Sequence, residues 1–217
     1  MAVGNSKLYD PEEIAESHVL NNLNIMDFGC GAGRLLVGLQ RSGVCFSSYT
    51  GVDIGAKEVA WLSETYTDRS KHEFVLLNVH NERYNKKGEV LDPVQGLGLD
   101  KAKHGSIDLI VSRSVFSHMK ASDIKNHLVA LRDFLNPKTG LFYVSLFVSE
   151  DMDSDEMENP NGESTPLHVV VLKKSYFEQT VEEAGYHILL FTTIDGQQTY
   201  LLSPRARARA KAADIPM

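Results

Sequence analysis

Residues 25–34 read Ile25-Met26-Asp27-Phe28-Gly29-Cys30-Gly31-Ala32-Gly33-Arg34, an apolar run that ends in three alternating glycines. The apolar run predicts a buried β-strand over residues 24–28, and the residues after the glycines predict a helix over 34–41. Glycines between a strand and a helix allow the backbone to approach a ligand closely. We therefore expect a ligand-binding loop between these two elements.

The spacing of the glycines restricts the ligand. A dinucleotide-binding loop has the pattern G-x-G-x-x-G, whose third glycine would fall on position 34. That position holds Arg34, and the pattern is G-x-G-x-G instead. The spacing therefore disfavours an NAD-dependent oxidoreductase, which is one rival function for this chain.

Around this loop, apolar runs alternate with helix-period segments from residue 10 to about residue 190. This order is typical of a parallel sheet with crossover helices. Strands are predicted over 49–54, 73–79, 107–112, 141–148, 186–192 and 198–202, and helices from Asp10 and over 57–66, 122–135 and 174–184. The Asp195-Gly196 turn forces the last two strands to pair antiparallel. The prediction is an α/β, Rossmann-like three-layer sandwich, with a seven-stranded, mostly parallel sheet and a C-terminal antiparallel hairpin.

Composition excludes several classes of protein. With 217 residues, 42% of them hydrophobic, the chain fits one domain with a full core. The net charge of −7 argues against a nucleic-acid-binding surface. No apolar run approaches the roughly 20 residues that span a bilayer, and the N-terminus lacks the apolar core of a signal peptide. We expect a cytoplasmic protein without membrane contact, in which Cys30 and Cys45 are reduced thiols and no metal is bound.

Two carboxylates lie near the ends of the first two predicted strands. Asp53 ends the second strand, where an acid can bind both hydroxyls of a ribose. The same acid would serve NAD, so Asp53 alone does not separate the ligands. Asp27 ends the first strand and could accept hydrogen bonds from an ammonium group. S-adenosylmethionine, which has a ribose and an ammonium group but no phosphate, fits both acids and the glycine spacing.

Residues 23–202 resemble the class I S-adenosylmethionine-dependent methyltransferase superfamily, and within it a mostly uncharacterised small-molecule subset. Beyond the glycine loop and the terminal hairpin, two stretches carry the resemblance. Residues 78–88, Asn-Val-His-Asn-Glu-Arg-Tyr-Asn-Lys-Lys-Gly, are similar to the family's D-V-x-N-x-x-Y-N-P-x-G. Residues 114–119, Ser-Val-Phe-Ser-His-Met, are similar to S-V-F-T-H-[LM].

The resemblance implies an enzyme that transfers a methyl group from S-adenosyl-L-methionine to a small-molecule acceptor, on nitrogen or oxygen, and releases S-adenosyl-L-homocysteine. The implied cofactor-binding residues are Asp27, Gly29, Cys30, Gly31, Gly33, Asp53, Ile54, Asn78, Val79 and Ser112. Asn78 departs from the family, which has an aspartate near the adenine there. An asparagine can still accept a hydrogen bond through its amide oxygen.

On the acceptor side, His118 is the candidate general base, and Arg113, Tyr84 and His168 are candidate acceptor-binding residues. Each has a plainer interpretation: a loop-ordering histidine, an exposed structural arginine, a packed tyrosine and a surface histidine. A catalytically silent S-adenosylmethionine-binding protein that regulates or scaffolds a partner would share every cofactor motif. The sequence names neither the acceptor nor an oligomeric state.

The predicted domain is residues 1–204, with an N-terminal helix or lid over 1–22 and an acidic acceptor-side loop over 149–168. Residues 205–217 form a basic tail, predicted to be disordered. Residues 150–158 contain six carboxylates and no basic residue, a composition typical of a solvated, mobile loop. Its place after the fifth strand gives a slight preference for a cationic or amine-bearing acceptor.

Overall fold

The structure is a computed structural model that describes residues 22–92 and 97–204. The helix predicted from Asp10, nearly all of the predicted lid over 1–22, and the basic tail over 205–217 lie outside these residues. Within them, no helix is long and apolar enough to cross a membrane.

Five parallel strands form the centre of the sheet. They are β1 (Leu23–Phe28), β2 (Phe46–Asp53), β3 (His72–Leu76), β4 (Leu109–Ser112) and β5 (Leu141–Ser149), in the spatial order β3-β2-β1-β4-β5. The order reverses between β1 and β4, since β2 and β3 extend to one side of β1 and β4 and β5 to the other. Ligands of open α/β sheets bind beyond the carboxyl ends of the strands at such a reversal.

Helices cover both faces of the sheet. The helices α1 (Arg34–Arg41) and α2 (Ala56–Thr65) pack on one face, and α3 (Ala121–Arg132) and α4 (Lys174–Glu183) pack on the other. The first face buries Leu36 and Leu62, and the second buries Leu128 and Phe177, all with almost no exposed surface. The predicted three-layer sandwich is confirmed.

The C-terminal hairpin closes the sheet as the sequence predicts. Strand β9 (Gln197–Pro204) runs antiparallel to β5, and β8 (Tyr186–Ile194) pairs antiparallel with β9. Together with β1–β5, these strands complete the predicted seven. At the turn, Asp195-Gly196, β8 extends two residues beyond its predicted end and β9 begins one residue before its predicted start. Both turn residues have positive φ.

The acidic segment departs from the predicted mobile loop. It contains β6 (Glu156–Glu158), which pairs antiparallel with β7 (Val170–Lys173), and β7 pairs parallel with the end of β5. The carboxylate of Glu156 accepts a hydrogen bond from the Ala121 amide at the start of α3, at 2.6 Å. These acids therefore have structural roles that the composition of the segment did not reveal.

Two predicted strands are shorter than expected. Strand β3 ends at Leu76 and not at residue 79, since the Asn78 carbonyl and the His80 amide bond to Glu89. Strand β4 begins at Leu109 and not at residue 107, because Ile107 makes an isolated bridge to Leu135. At both places apolar residues extend beyond the regular strand pairing, so apolar composition alone overestimates the lengths of these strands.

Candidate active site

A cavity of about 560 Å³ opens at the carboxyl ends of the central strands. Its volume lies in the range of small-molecule sites, about 300–1,000 Å³. The lining comes from the glycine loop, the end of β2, the segment after β3 and the segment after β4 with the start of α3. This is the reversal of strand order identified above. The lining residues are Phe28, Gly29, Gly31, Ala32, Arg34, Val52, Asp53, Ile54, Gly55, Glu58, Leu77, Val79, His80, Asn81, Tyr84, Arg113, Ser114, Val115, His118, Met119, Asp123 and His127.

Asp53 holds two backbone segments at the edge of this cavity. Its Oδ2 accepts a hydrogen bond from the Gly31 amide and its Oδ1 accepts one from the Gly55 amide, both at 2.7 Å. The glycine loop and the start of α2 are thus fixed by one carboxylate. Each carboxylate oxygen has a second lone pair, so Asp53 retains the capacity to accept hydroxyl donors.

The three glycines have different environments. A Cβ on Gly29 would lie 2.2 Å from the Val115 side chain, and one on Gly33 would lie 2.8 Å from Leu62. A Cβ on Gly31 would meet nothing within 4 Å, and Gly31 lines the cavity. Gly29 and Gly33 therefore fit the loop against its neighbours, while Gly31 presents backbone to the cavity.

Asp27 lies behind the loop, outside the cavity lining. It is 5% exposed, and its Oδ2 accepts a hydrogen bond from the Tyr49 hydroxyl. Burial raises the pKa of Asp27 to about 6. The predicted cofactor residue Cys30 is also buried outside the lining, and burial raises the pKa of its thiol far above its ordinary value.

The other predicted cofactor residues divide into two groups. Ile54 and Val79 line the cavity. Ser112 is fully buried in the sheet, and Asn78 is exposed; neither lines the cavity. The Asn78 side-chain amide donates a hydrogen bond to Glu89 Oε1 and accepts one from Asn85 Nδ2, each at 3.4 Å. These contacts hold the Asn78 side chain within the loop after β3.

His118 lines the cavity and is oriented from two sides. Its Nδ1 lies 3.1 Å from the Leu167 carbonyl oxygen, and the Tyr84 ring stands edge-on at 5.8 Å between centroids. A carbonyl accepts only, so Nδ1 carries the hydrogen and the neutral ring has a free lone pair on Nε2. Burial lowers the pKa of His118, which keeps the ring neutral at neutral pH.

Arg113 also lines the cavity, but its charge is paired. Its guanidinium forms an ion pair with Asp195 in the turn between β8 and β9. In the same hairpin, Gln197 Oε1 accepts hydrogen bonds from the hydroxyls of Ser114 and Ser145, at 2.9 and 2.8 Å. The C-terminal hairpin thus braces the cavity wall after β4, which the sequence did not indicate.

His168 does not line the cavity. Its Nδ1 lies 2.8 Å from the Arg83 guanidinium, which stacks over the Tyr84 ring at 5.0 Å. The segment between β6 and β7 therefore holds the loop after β3 through His168 and holds His118 through Leu167. His168 is thus linked to the cavity through Arg83 and the Tyr84 ring.

Sequence reasoning missed the residues that α3 contributes. Asp123 and His127 lie one turn apart on α3 and both line the cavity, together with His80 from the loop after β3. His127 is 2% exposed, and burial lowers its pKa to about 4. A helical spacing of four residues between an acid and a histidine was the available signal. Among the described residues, no group of three or more His, Cys, Asp or Glu could hold a metal ion.

A methyltransferase domain family matches residues 10–190 of the chain. Several solved structures share its fold. The glycopeptide N-methyltransferase MtfA complexed with S-adenosyl-L-methionine is 15% identical, with a TM-score of 0.57 over 94% of this chain and 100% of that chain. A methyltransferase from Aquifex aeolicus described as SAM-dependent is 16% identical, with a TM-score of 0.54 over 90% and 89%.

A third similar structure is a complex between the Haloferax volcanii Trm112 methyltransferase activator and a putative methyltransferase. The matched chain is 18% identical, with a TM-score of 0.60 over 85% of this chain and 84% of that chain. At these identities the likeness establishes the fold and leaves the chemistry to the site.

Proposed function

We propose that this chain, which belongs to the methyltransferase domain family, transfers a methyl group from S-adenosyl-L-methionine to a small-molecule acceptor, on nitrogen or oxygen. The observation that carries the proposal is the position of Asp53. It joins Gly31 to Gly55 where the cavity meets the end of β2. The ribose of a nucleoside bound there can donate hydrogen bonds to the Asp53 carboxylate, and the unobstructed backbone of Gly31 lies beside it.

The cofactor of this family is S-adenosyl-L-methionine, and the glycine loop suits it. Gly31 leaves space for the ligand, and no third glycine is present at position 34 to admit a pyrophosphate. Five predicted cofactor residues also line the cavity: Gly29, Gly31, Asp53, Ile54 and Val79. Asp27 is buried behind the glycine loop and does not line the cavity. Its negative charge attracts the cofactor's ammonium group through a longer-range field.

Methyl transfer from a sulfonium is an in-line displacement in which the donor is already activated. Alignment of acceptor and methyl group therefore supplies most of what the protein contributes, and it can lower the barrier by several kcal/mol. A nitrogen or oxygen acceptor that carries a proton also needs a base. His118 fits that role because its Nδ1 is tied to Leu167, which leaves Nε2 as the basic atom.

The volume of the cavity, about 560 Å³, suits a small acceptor. The Leu167 carbonyl orients His118, and Arg113 pairs with Asp195 of the hairpin. Because Arg113 already pairs with Asp195, its charge favours an anionic acceptor less than an unpaired arginine would. We propose a neutral or amine-bearing acceptor, with Tyr84 as an aromatic wall.

Binding measurements test the cofactor part of the proposal. S-adenosylhomocysteine should bind the whole chain and raise its melting temperature, and NAD should do neither. Titration calorimetry in which NAD binds and S-adenosylhomocysteine does not would refute the assignment. An acceptor library with S-adenosylmethionine, read by mass spectrometry for methylated products, then tests turnover.

A further inference from the structure

The part of the cavity formed by α3 contains a hydrogen-bond acceptor that no group among the described residues uses. His127 Nδ1 lies 2.7 Å from the backbone carbonyl oxygen of Asp123, one turn earlier on α3. Nδ1 therefore carries the ring hydrogen, which leaves a lone pair on Nε2. Nε2 is buried and has no hydrogen-bond partner among the described residues.

A buried polar atom without a partner is unusual, because leaving it unpaired costs the energy of removing it from water. Because His127 also lines the cavity, a ligand can supply the missing partner. Burial lowers the pKa of His127 to about 4, so its ring is neutral at neutral pH. A neutral imidazole with a free lone pair binds an N–H or O–H donor and gains nothing from an anion.

His127 lies beside the end of β1, next to the strand that carries Asp53. Its ring packs against Phe28 at 5.5 Å between centroids, and Phe28 at the end of β1 pairs with Val52 of β2. Val52 directly precedes Asp53, and Asp53 and His127 both line the cavity. His127 therefore shares one cavity with the carboxylate proposed to hold the ribose.

The walls between the two residues suit a purine ring. Phe28, Val52 and Leu77 are buried apolar residues that line this part of the cavity. The family's position for contact with the adenine is occupied by Asn78, whose side chain is exposed and lies outside the lining. An adenine bound here would need another acceptor for its exocyclic amine.

We propose that His127 Nε2 accepts a hydrogen bond from the exocyclic amine of the cofactor's adenine, in place of Asn78, whose side chain lies outside the cavity lining. The inference rests on the proposed function, since it requires an adenosyl cofactor. Asp123 lines the same part of the cavity and fixes the tautomer of His127 through its carbonyl.

The test compares two ligands by titration calorimetry: S-adenosylhomocysteine, and an analogue in which hydrogen replaces the exocyclic amine. The wild-type protein should bind S-adenosylhomocysteine about tenfold more tightly than the analogue, as expected when one buried hydrogen bond of about 1.4 kcal/mol is lost. His127→Phe should bind the two ligands with affinities within about twofold of each other. His127→Gln, which restores an acceptor near the Nε2 position, should recover most of the preference.

His72 provides a matched control. It is also a buried histidine, and neither of its ring nitrogens has a hydrogen-bond partner within residues 22–92 and 97–204. It lies against Phe46 and Tyr66, outside the cavity. His72→Phe should keep the wild-type preference. A His127→Phe protein that keeps the full preference, or a wild-type protein that has none, overturns the inference while S-adenosylhomocysteine still binds. Failure of the wild type to bind S-adenosylhomocysteine at all refutes the proposed function instead.

Discussion

The two ends of the cavity are built in different ways. At the glycine-loop end, Asp53 bonds to Gly31 and Gly55, which are 22 and 2 residues away in the chain. At the other end, His118 bonds to the Leu167 carbonyl, 49 residues away, and Arg83 bonds to His168, 85 residues away. The first end is a product of neighbouring strand–turn–helix units, and the second of contacts between distant segments.

This difference indicates that the backbone fixes the geometry of the first end of the cavity, whereas individual side chains set the geometry of the second. The glycine-loop end uses backbone amides and one carboxylate, so its geometry follows from the strand–loop–helix connection itself. The other end depends on side chains from the loop after β3, from the segment after β4 and from the segment between β6 and β7. We therefore expect substitutions at the first end to change cofactor affinity, and those at the second to change turnover and acceptor choice.

The largest expected effect is at His118. His118→Gln should lower kcat by about 10²–10⁴, because a positioned base contributes that much to proton transfer. The affinity for S-adenosylhomocysteine should stay unchanged if the two ends are independent. His104→Gln is the control, since His104 packs against Phe134 outside the cavity. The measurement is steady-state kinetics with an acceptor identified from the acceptor library. A kcat of His118→Gln within twofold of the wild type would contradict the role of His118 as general base.

Asp53→Ala should weaken S-adenosylhomocysteine binding by more than tenfold. Hydrogen bonds to a charged group are worth about 1.5–3 kcal/mol each, and the substitution also frees the Gly31 and Gly55 amides. Asp108→Ala is a matched control, because Asp108 also accepts a backbone amide, from Asn24 at the opposite edge of the sheet. Equal affinities of the folded Asp53→Ala and wild-type proteins would show that the ribose binds elsewhere.

The pH dependence of stability compares two buried groups, Asp27 behind the glycine loop and His127 on α3. Burial raises the pKa of Asp27 to about 6, above its ordinary 3.8, so this group stabilises the folded state as pH falls from about 6 to 4. Burial lowers the pKa of His127 to about 4, below its ordinary 6.5, so this group destabilises the folded state as pH falls from about 6.5 to 4. Each contribution is about 3 kcal/mol, and the two oppose each other.

Relative to the wild type, Asp27→Asn should therefore lose about 3 kcal/mol of unfolding free energy between pH 6.5 and pH 4. His127→Phe should gain a similar amount over the same range. Urea unfolding at several pH values measures both differences, and the other titrating groups cancel in the comparison with the wild type. Parallel pH curves for the wild type and the two variants would exclude these shifts.

The smallest effect is expected in the acidic segment. Glu156→Ala should lower the free energy of unfolding by about 1 kcal/mol, because the carboxylate accepts the Ala121 amide at the N-terminus of α3, as a helix cap does. Asp153→Ala, at an exposed position in the same segment, should change it by less than about 0.5 kcal/mol. Equal thermal unfolding curves for the two variants would contradict the capping role.

Local patterns in the sequence account for the fold and for one end of the site. The alternation of apolar runs and helices predicted all five parallel strands, and the Asp195-Gly196 turn predicted the antiparallel hairpin. The glycine loop and Asp53 were predicted to lie together, and the structure places them together at the cavity. Each of these features involves residues close in the chain, whose geometry is limited by backbone sterics and strand pairing.

The rest of the site depends on tertiary packing. Cys30 and Ser112 follow predicted strands as cofactor residues do, but they are buried outside the cavity lining. The composition of the acidic segment predicts a mobile loop, whereas Glu156 caps α3, and His127 was not predicted. The order of strands and helices and the loop beside Asp53 follow from local sequence, because hydrogen bonding and apolar periodicity act over a few residues. Which side chains face the cavity depended on how separate helices and loops pack, and that is a sum of many long-range contacts that no local pattern encodes.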